Sequence, residues 1–217
     1  MPGTQLLSIE YNVIKSNEAG RGGGIEIFAS SPIIKNNRID NNKAENYLGG
    51  GILIWFGSSP DVSGNTITAN EGRRRCGCIY IHCDYSPPPL DCKPTVNNNI
   101  IENNSADDGG GIYITYYASP TITSNTIANN EARYNGCGIS VKPYATPTIS
   151  NNTISNNNAI SYGSGVYVDN FCDVKSIYGA SWPRCYFPPN SELNNTYSRN
   201  TNQNGLVTER CHVYFLP

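Results

Sequence analysis

The sequence predicts an all-β solenoid built from 27-residue coils with three strands each, and two observations carry that prediction. A glycine-rich step followed by an apolar residue recurs at Gly24-Ile25, Gly51-Ile52, Cys78-Ile79, Gly111-Ile112, Gly138-Ile139 and Gly165-Val166, at intervals of 27, 27, 33, 27 and 27 residues. A fixed period of that size marks a repeat in which no single unit can bury its apolar face and only stacking makes a core. Within the unit Pro120 to Thr146, apolar residues alternate with polar ones in three short runs: Pro120-Thr121-Ile122-Thr123, Asn125-Thr126-Ile127-Ala128 and Gly138-Ile139-Ser140-Val141. That is a strand period, and three strands per period make one coil of a single-stranded parallel β-helix.

The counterparts of these runs lie in register from coil to coil. One inward column is Ile14, Ile39, Ile67, Ile101, Ile127 and Ile154, and another is Ile27, Ile54, Ile81, Ile114, Val141 and Val168. At a strand spacing of about 4.8 Å such columns form a continuous dry interior. Asparagines fall in columns as well: Asn17, Asn42, Asn70, Asn104, Asn130 and Asn157 in one, Asn12, Asn37, Asn65, Asn99, Asn125 and Asn152 in the other. Asparagine tolerates the left-handed backbone of a tight corner and can hydrogen-bond to the same amide in adjacent coils, so both columns are read as structural ladders. The glycines at 22–24, 49–51 and 109–111 are read as a corner needing positive φ or close backbone approach. No helix is expected after them, which removes a phosphate-loop reading.

The motif P-x-I-x-x-N-x-I-x-x-N-x-A followed by G-G-G-I-x-I, as in Pro147 to Ala159 and Gly109 to Ile114, resembles that of the right-handed parallel β-helix repeat proteins, the pectate-lyase-like superfold of exported and surface-anchored microbial polypeptides. The resemblance runs from about Leu6 to Val168. It implies a right-handed coil and an exported protein. It is poor for function, because the family includes lyases, hydrolases, epimerases, adhesins and spacers.

The 217 residues carry a formal net charge of −2, so nothing directs the chain to nucleic acid, and no apolar run is long enough to span a membrane. Residues 1–217 are read as one β-helix domain, with regular coils over 6–168, a loop insertion at 82–93, an irregular excursion at 169–190 and a degraded capping coil at 191–217. Met1-Pro2-Gly3-Thr4 leads into the first coil without a signal-peptide pattern or a visible cap. Either an upstream part is missing, or that strand edge docks on another subunit.

Eight cysteines without metal spacing argue for an oxidising compartment, outside the cell or at its surface. Cys83 and Cys92 are expected to close the proline-stiffened insertion by a disulfide, and Cys172 and Cys185 to close the later excursion. Cys76, Cys78, Cys137 and Cys211 are left unassigned; Cys137 lies two coils from Cys76, roughly 10 Å, beyond disulfide reach. A metal cluster of Cys76, Cys78, Cys83 and His82 is the alternative for the first of these, but no metal or other cofactor is expected. Asn103-Asn104-Ser105, Asn151-Asn152-Thr153 and Asn194-Asn195-Thr196 have N-glycosylation spacing, and the first two overlap the repeat motif.

His82 and His212 are the two histidines, and neither sits beside a nucleophile motif. Counting back from the glycine step places Arg75 beside Asp108, Arg74 beside Asp107, and Arg73 in one column with Arg133. Such a corner could bind uronic acids and assist proton abstraction, or be a ladder of exposed ion pairs. Outward aromatics Trp55, Tyr80, Tyr113 and Tyr167, with Phe56, Tyr85, Tyr116, Tyr117 and Tyr144 nearby, are expected to offer ring faces to sugars or a surface to a protein partner. Two function classes follow. The favoured one is a non-enzymatic extracellular structural protein that presents a rigid repetitive face for self-association or for a surface polysaccharide. The alternative is a polysaccharide lyase or hydrolase using Arg74, Arg75, Asp107 and Asp108.

Overall fold

In the computed structural model, which describes residues 7–46, 48–84, 92–161 and 163–168 and the backbone of 192–193, 196–198 and 201–202, the chain winds into parallel coils with no helix among the described residues. The three strands expected per coil form three of four sheets. The first sheet stacks Ser8–Glu10, Ile33–Lys35, Asp61–Ser63, Thr95–Asn97, Thr121–Thr123, Thr148–Ser150 and Glu192–Leu193. The second runs from Val13–Lys15 to Thr196–Ser198, and the fourth from Ile25–Phe28 to Val166–Val168. A further, short strand per coil makes the third sheet, from Glu18–Ala19 through Glu71–Arg75 and Ser105–Asp108 to Thr201–Asn202. In most coils it is two residues long, too short for alternation to reveal it in the sequence.

Register is the one the repeat demands. Ile14, Ile39, Ile67, Ile101, Ile127 and Ile154 are successive partners in the second sheet, with Tyr197 next. Ile27, Ile54, Ile81, Ile114, Val141 and Val168 are partners in the fourth. Together with Ile34, Val62, Val96, Ile122 and Ile149 of the first sheet they form one apolar core. Each fully buried isoleucine contributes roughly 2–3 kcal/mol of transfer free energy.

Both asparagine ladders form, and they occupy the corners on either side of the second sheet. Asn104 is representative. Its Oδ1 accepts from the Asn70 backbone N–H at 2.9 Å and from Asn70 Nδ2 at 3.0 Å. Its Nδ2 donates to Asn130 Oδ1 and to the Ile67 carbonyl, both at 3.0 Å. One side chain thus satisfies a corner N–H and a corner carbonyl that the sheets leave over. The left-handed backbone falls one position earlier than expected: Asn36, Asn41, Asn98, Asn103, Asn129, Asn151 and Asn156 have φ of 53–57°, whereas the ladder asparagines that follow them do not. Turn conformation and buried hydrogen bonding are therefore divided between two neighbouring residues.

The glycine step does what its composition suggested. Gly109 has φ 70°, and a Cβ on Gly110 would lie 2.5 Å from the Glu131 carbonyl oxygen. The Cys83–Cys92 disulfide is present, with Cα atoms 5.8 Å apart, and closes the insertion. Cys172, Cys185, Cys211, His212, Asn194 and the excursion at 169–190 lie outside the described residues.

The division of roles predicts unequal effects at adjacent asparagines. Asn104→Ala should lower stability by about 3 kcal/mol or more, because it strands the Asn70 N–H and the Ile67 carbonyl. Asn103→Ala, which costs only left-handed preference at an exposed corner, should lower it by about 1 kcal/mol. Denaturant titrations of the two variants, followed by far-ultraviolet circular dichroism, check this; equal losses would contradict it.

Candidate functional site

The charged corner is built on the third sheet. Arg75 and Asp108 are backbone partners as counted from the glycine step, and one extra residue bulges between Gly72 and Arg75. A bulge bends its strand and re-aims side chains. The side chains do not follow the backbone pairing: the Arg75 charge acts on Tyr113 and Tyr80, while Asp108 Oδ1 accepts from the Asn135 backbone N–H at 3.2 Å and from Asn135 Nδ2 at 3.3 Å. Arg73 reaches Glu45 at 3.6 Å in the coil below, and Arg133 approaches Asp107 to 4.0 Å from the coil above. These are rungs between coils on an exposed edge, each worth under about 1 kcal/mol.

The outer face of the fourth sheet differs from expectation. Tyr80 and Tyr113 point away from the core yet are only 2% and 3% exposed, in a second apolar cluster with Leu53 and Cys76, flanked by Leu48 and Trp55. The turn from the third sheet covers them: a Cβ on Gly109 would lie 2.7 Å from the Tyr113 ring. Their faces are also occupied, because the two rings stack on each other at 5.3 Å and 8°. Tyr117 and Tyr144 do the same at 5.4 Å and 16°. Rings that stack coil on coil turn their edges outward, so Tyr80 and Tyr113 are removed from the candidate binding surface. Tyr167 is partly buried and lies under Lys142, whose Nζ is 4.7 Å from its ring centroid.

Of the four aromatics expected to bind, Trp55 remains at an accessible patch. It contacts Phe28, with centroids 4.9 Å apart, and Phe28 stacks on Phe56 at 4.8 Å. Phe28 is 51% and Phe56 39% exposed. The indole is held in place: Trp55 Nε1 donates to Glu26 Oε1 at 3.1 Å, and Arg21, paired with the same carboxylate at 2.9 Å, lies 4.4 Å over the ring. Phe28 was legible as the fourth residue of its strand, in one outward column with Trp55, His82 and Thr115. The corner that follows carries Ala29 at φ 48° in the first coil but left-handed Phe56 at 55°, Tyr116 at 42°, Tyr117 at 45° and Tyr144 at 69° in later ones, whereas the corners beside the second sheet favour asparagine. Placing bulky rings in that conformation costs on the order of 1 kcal/mol each.

Coil three adds a pair that sequence reasoning missed. His82 Nε2 lies 3.0 Å from Asp84 Oδ1, and the imidazole meets the Tyr116 ring edge-on at 4.9 Å. The metal cluster weighed for Cys76, Cys78, Cys83 and His82 is excluded for Cys83, whose sulfur is in the disulfide. Among the described residues no group of three or more His, Cys, Asp or Glu could hold a metal ion. Cys76, Cys78 and Cys137 are buried and carry no disulfide, and burial pushes their thiols far above the ordinary value. Cys76 donates to the Gly111 carbonyl at 3.3 Å.

These environments have measurable consequences. Alkylation of native protein should leave Cys76, Cys78 and Cys137 unmodified until denaturant is added, and unreduced peptide maps should recover the Cys83–Cys92 link. Burial also pushes the Tyr80 phenol up to about 12, against the opposing pull of Arg75. A tyrosine in the unfolded chain ionises near pH 10, so this contribution is complete below about pH 10 and is lost as pH rises toward 12. Tyr80→Phe should remove that part of the alkaline destabilisation, about 2 kcal/mol, in denaturation midpoints compared at pH 9 and pH 11.5.

No curated protein and no solved structure gives a significant match to the chain. The family model described as a right-handed β-helix region matches residues 3–67 and 77–214. The interruption contains the bulged strand Glu71–Arg75, where coil three departs from its neighbours. With most of the chain matched, and with parallel coils stacked in register in the first, second and fourth sheets among the described residues, the protein belongs to the right-handed β-helix family.

Proposed function

We propose that the protein is a non-enzymatic, exported structural module whose rigid solenoid presents the Phe28–Trp55–Phe56 patch to a partner, either a second copy of the chain or a surface polysaccharide. The observation that carries this reading is the patch itself: three aromatic rings in contact, with Phe28 and Phe56 exposed and the half-buried Trp55 pinned by Glu26 and Arg21. Covering Phe28 and Phe56 would contribute on the order of 2 kcal/mol each, and an aromatic centre beside arginine has the composition of a binding hot spot. The Cys83–Cys92 disulfide favours export. The charged corner supports the alternative, a polysaccharide lyase or hydrolase, less well, since its charges are bonded between coils on an open edge.

One set of assays separates these readings. Sedimentation equilibrium and co-sedimentation with a panel of polysaccharides should show association that Phe28→Ala and Trp55→Ala each weaken about tenfold, as loss of about 1.4 kcal/mol requires. Monomer at all concentrations together with no polysaccharide binding would reject the proposal. Unsaturated products from a uronic-acid polymer, abolished by Asp107→Asn with Asp108→Asn, would put the enzyme reading in its place.

A further inference from the structure

The repeat contains a set of Asn-Asn doublets, and the structure treats the two members of each in opposite ways. The second member is a ladder residue: Asn104 and Asn152 are buried, with their amides bonded to neighbouring coils. The first member is a corner residue: Asn103 and Asn151 are exposed and left-handed, each with φ 57°. In both doublets a hydroxyl residue stands two positions after the exposed asparagine, Ser105 and Thr153. The acceptor spacing Asn-x-Ser/Thr therefore selects the asparagine that can carry a bulky group, not the one the core depends on. Had the spacing fallen one residue later, the modified side chain would be Asn104 or Asn152, and the ladder would break.

We infer that Asn103 and Asn151 are N-glycan acceptor sites, at which the oligosaccharide of a polyprenyl diphosphate donor is transferred to the side-chain amide as the chain is exported. In the transfer Nδ2 bonds to the sugar C1, the bond from C1 to the phosphate oxygen breaks, polyprenyl diphosphate leaves, and one amide proton passes to a base of the transferase. Asn151 lies between Thr148–Ser150 of the first sheet and Thr153–Ser155 of the second, and Asn103 between Ile100–Glu102 of the second and Ser105–Asp108 of the third. The glycans would thus flank the second sheet, two coils or roughly 10 Å apart along the axis, while the Phe28–Trp55–Phe56 patch stays on the fourth. This inference rests on the export assumed under the proposed function, and on no property of the aromatic patch.

The molecule supplies its own controls. Asn41, Asn98, Asn129 and Asn156 are equally exposed corner asparagines with φ of 53–55°, but Lys43, Ile100, Glu131 and Asn158 stand two positions later. Glu131 occupies in its coil the place Ser105 occupies in the coil below. The experiment is secretion of the full chain from a eukaryotic cell under a heterologous signal peptide, which forces export whatever the native route, followed by site mapping with and without peptide N-glycosidase. Near-complete glycosylation at Asn103 and Asn151, none at the four controls, and a new glycan at Asn129 in Glu131→Ser are expected. The secreted glycoprotein should keep the denaturation midpoint of the enzymatically deglycosylated protein. Recovery of Asn103 or Asn151 unmodified overturns the assignment at that position, and a collapse of the midpoint on glycosylation overturns the placement of the acceptors outside the ladders. Either result leaves the polysaccharide and self-association assays, run on unglycosylated protein, to decide the binding proposal separately.

Discussion

The buried asparagine amides are the interaction on which the rest of the solenoid depends. At each end of a second-sheet strand the chain turns within about two residues, leaving an N–H and a carbonyl that no neighbouring strand can reach. Asn65, Asn99 and Asn125 each resolve one such corner, accepting from the coil below through Oδ1 and donating to a core carbonyl through Nδ2. In a dry interior such bonds polarise one another, and an unmade one carries its full desolvation cost. They also set the register. A slip by one residue would put Gly64 or Thr66, and Ser124 or Thr126, in the ladder position and turn the isoleucines out of the core, so the aliphatic columns owe their alignment to the polar ones.

The entry to the fourth sheet meets the opposite difficulty, backbones that come too close. Glycine resolves it in most coils, through left-handed φ at the first position and the missing Cβ at the second. Coil three uses Cys76 in the left-handed place, at φ 57°, after a bulged strand. The consequence is a satellite core outside the sheet, in which Cys76, Tyr80, Tyr113 and Leu53 exclude water from what periodicity would label a surface. Arg75 lies beside this cluster, where its charge acts on Tyr80 and Tyr113, so one of the residues best placed by sequence for chemistry faces the tyrosines as well as its backbone partner Asp108.

Local conformational preference separates structural positions from candidate functional ones in this chain. Corners beside the second sheet are filled mainly by asparagine, with glycine, serine and alanine at others and a single ring, Tyr11, in the first coil. The corner after the fourth sheet instead carries Phe56, Tyr116, Tyr117 and Tyr144. A residue that breaks a local rule without benefit to packing is where function is to be sought. Phe56 meets that description, being exposed and in contact with Phe28, whereas Tyr117 and Tyr144 serve partly to cover each other.

What the sequence determined by itself was whatever repeats. The period, the inward isoleucine columns, the asparagine ladders and the glycine corner are enforced once per coil, so each is written about six times and a single chain reads like its own alignment. The Cys83–Cys92 bond was legible for a related reason, since both cysteines bound the one insertion that interrupts the regular coils. Tertiary structure decided what occurs once or depends on depth. The short strand of the third sheet has no alternation to show, and the partners of Arg75 and Asp108 depend on side-chain direction beyond backbone register. Whether an outward ring is surface depends on the segment folded over it, which buries Tyr80 and Tyr113 and leaves Phe28 open. Strand periodicity distinguishes two faces of a sheet, but solvent exposure is set by everything packed against each face, and that is a property of the assembled coil.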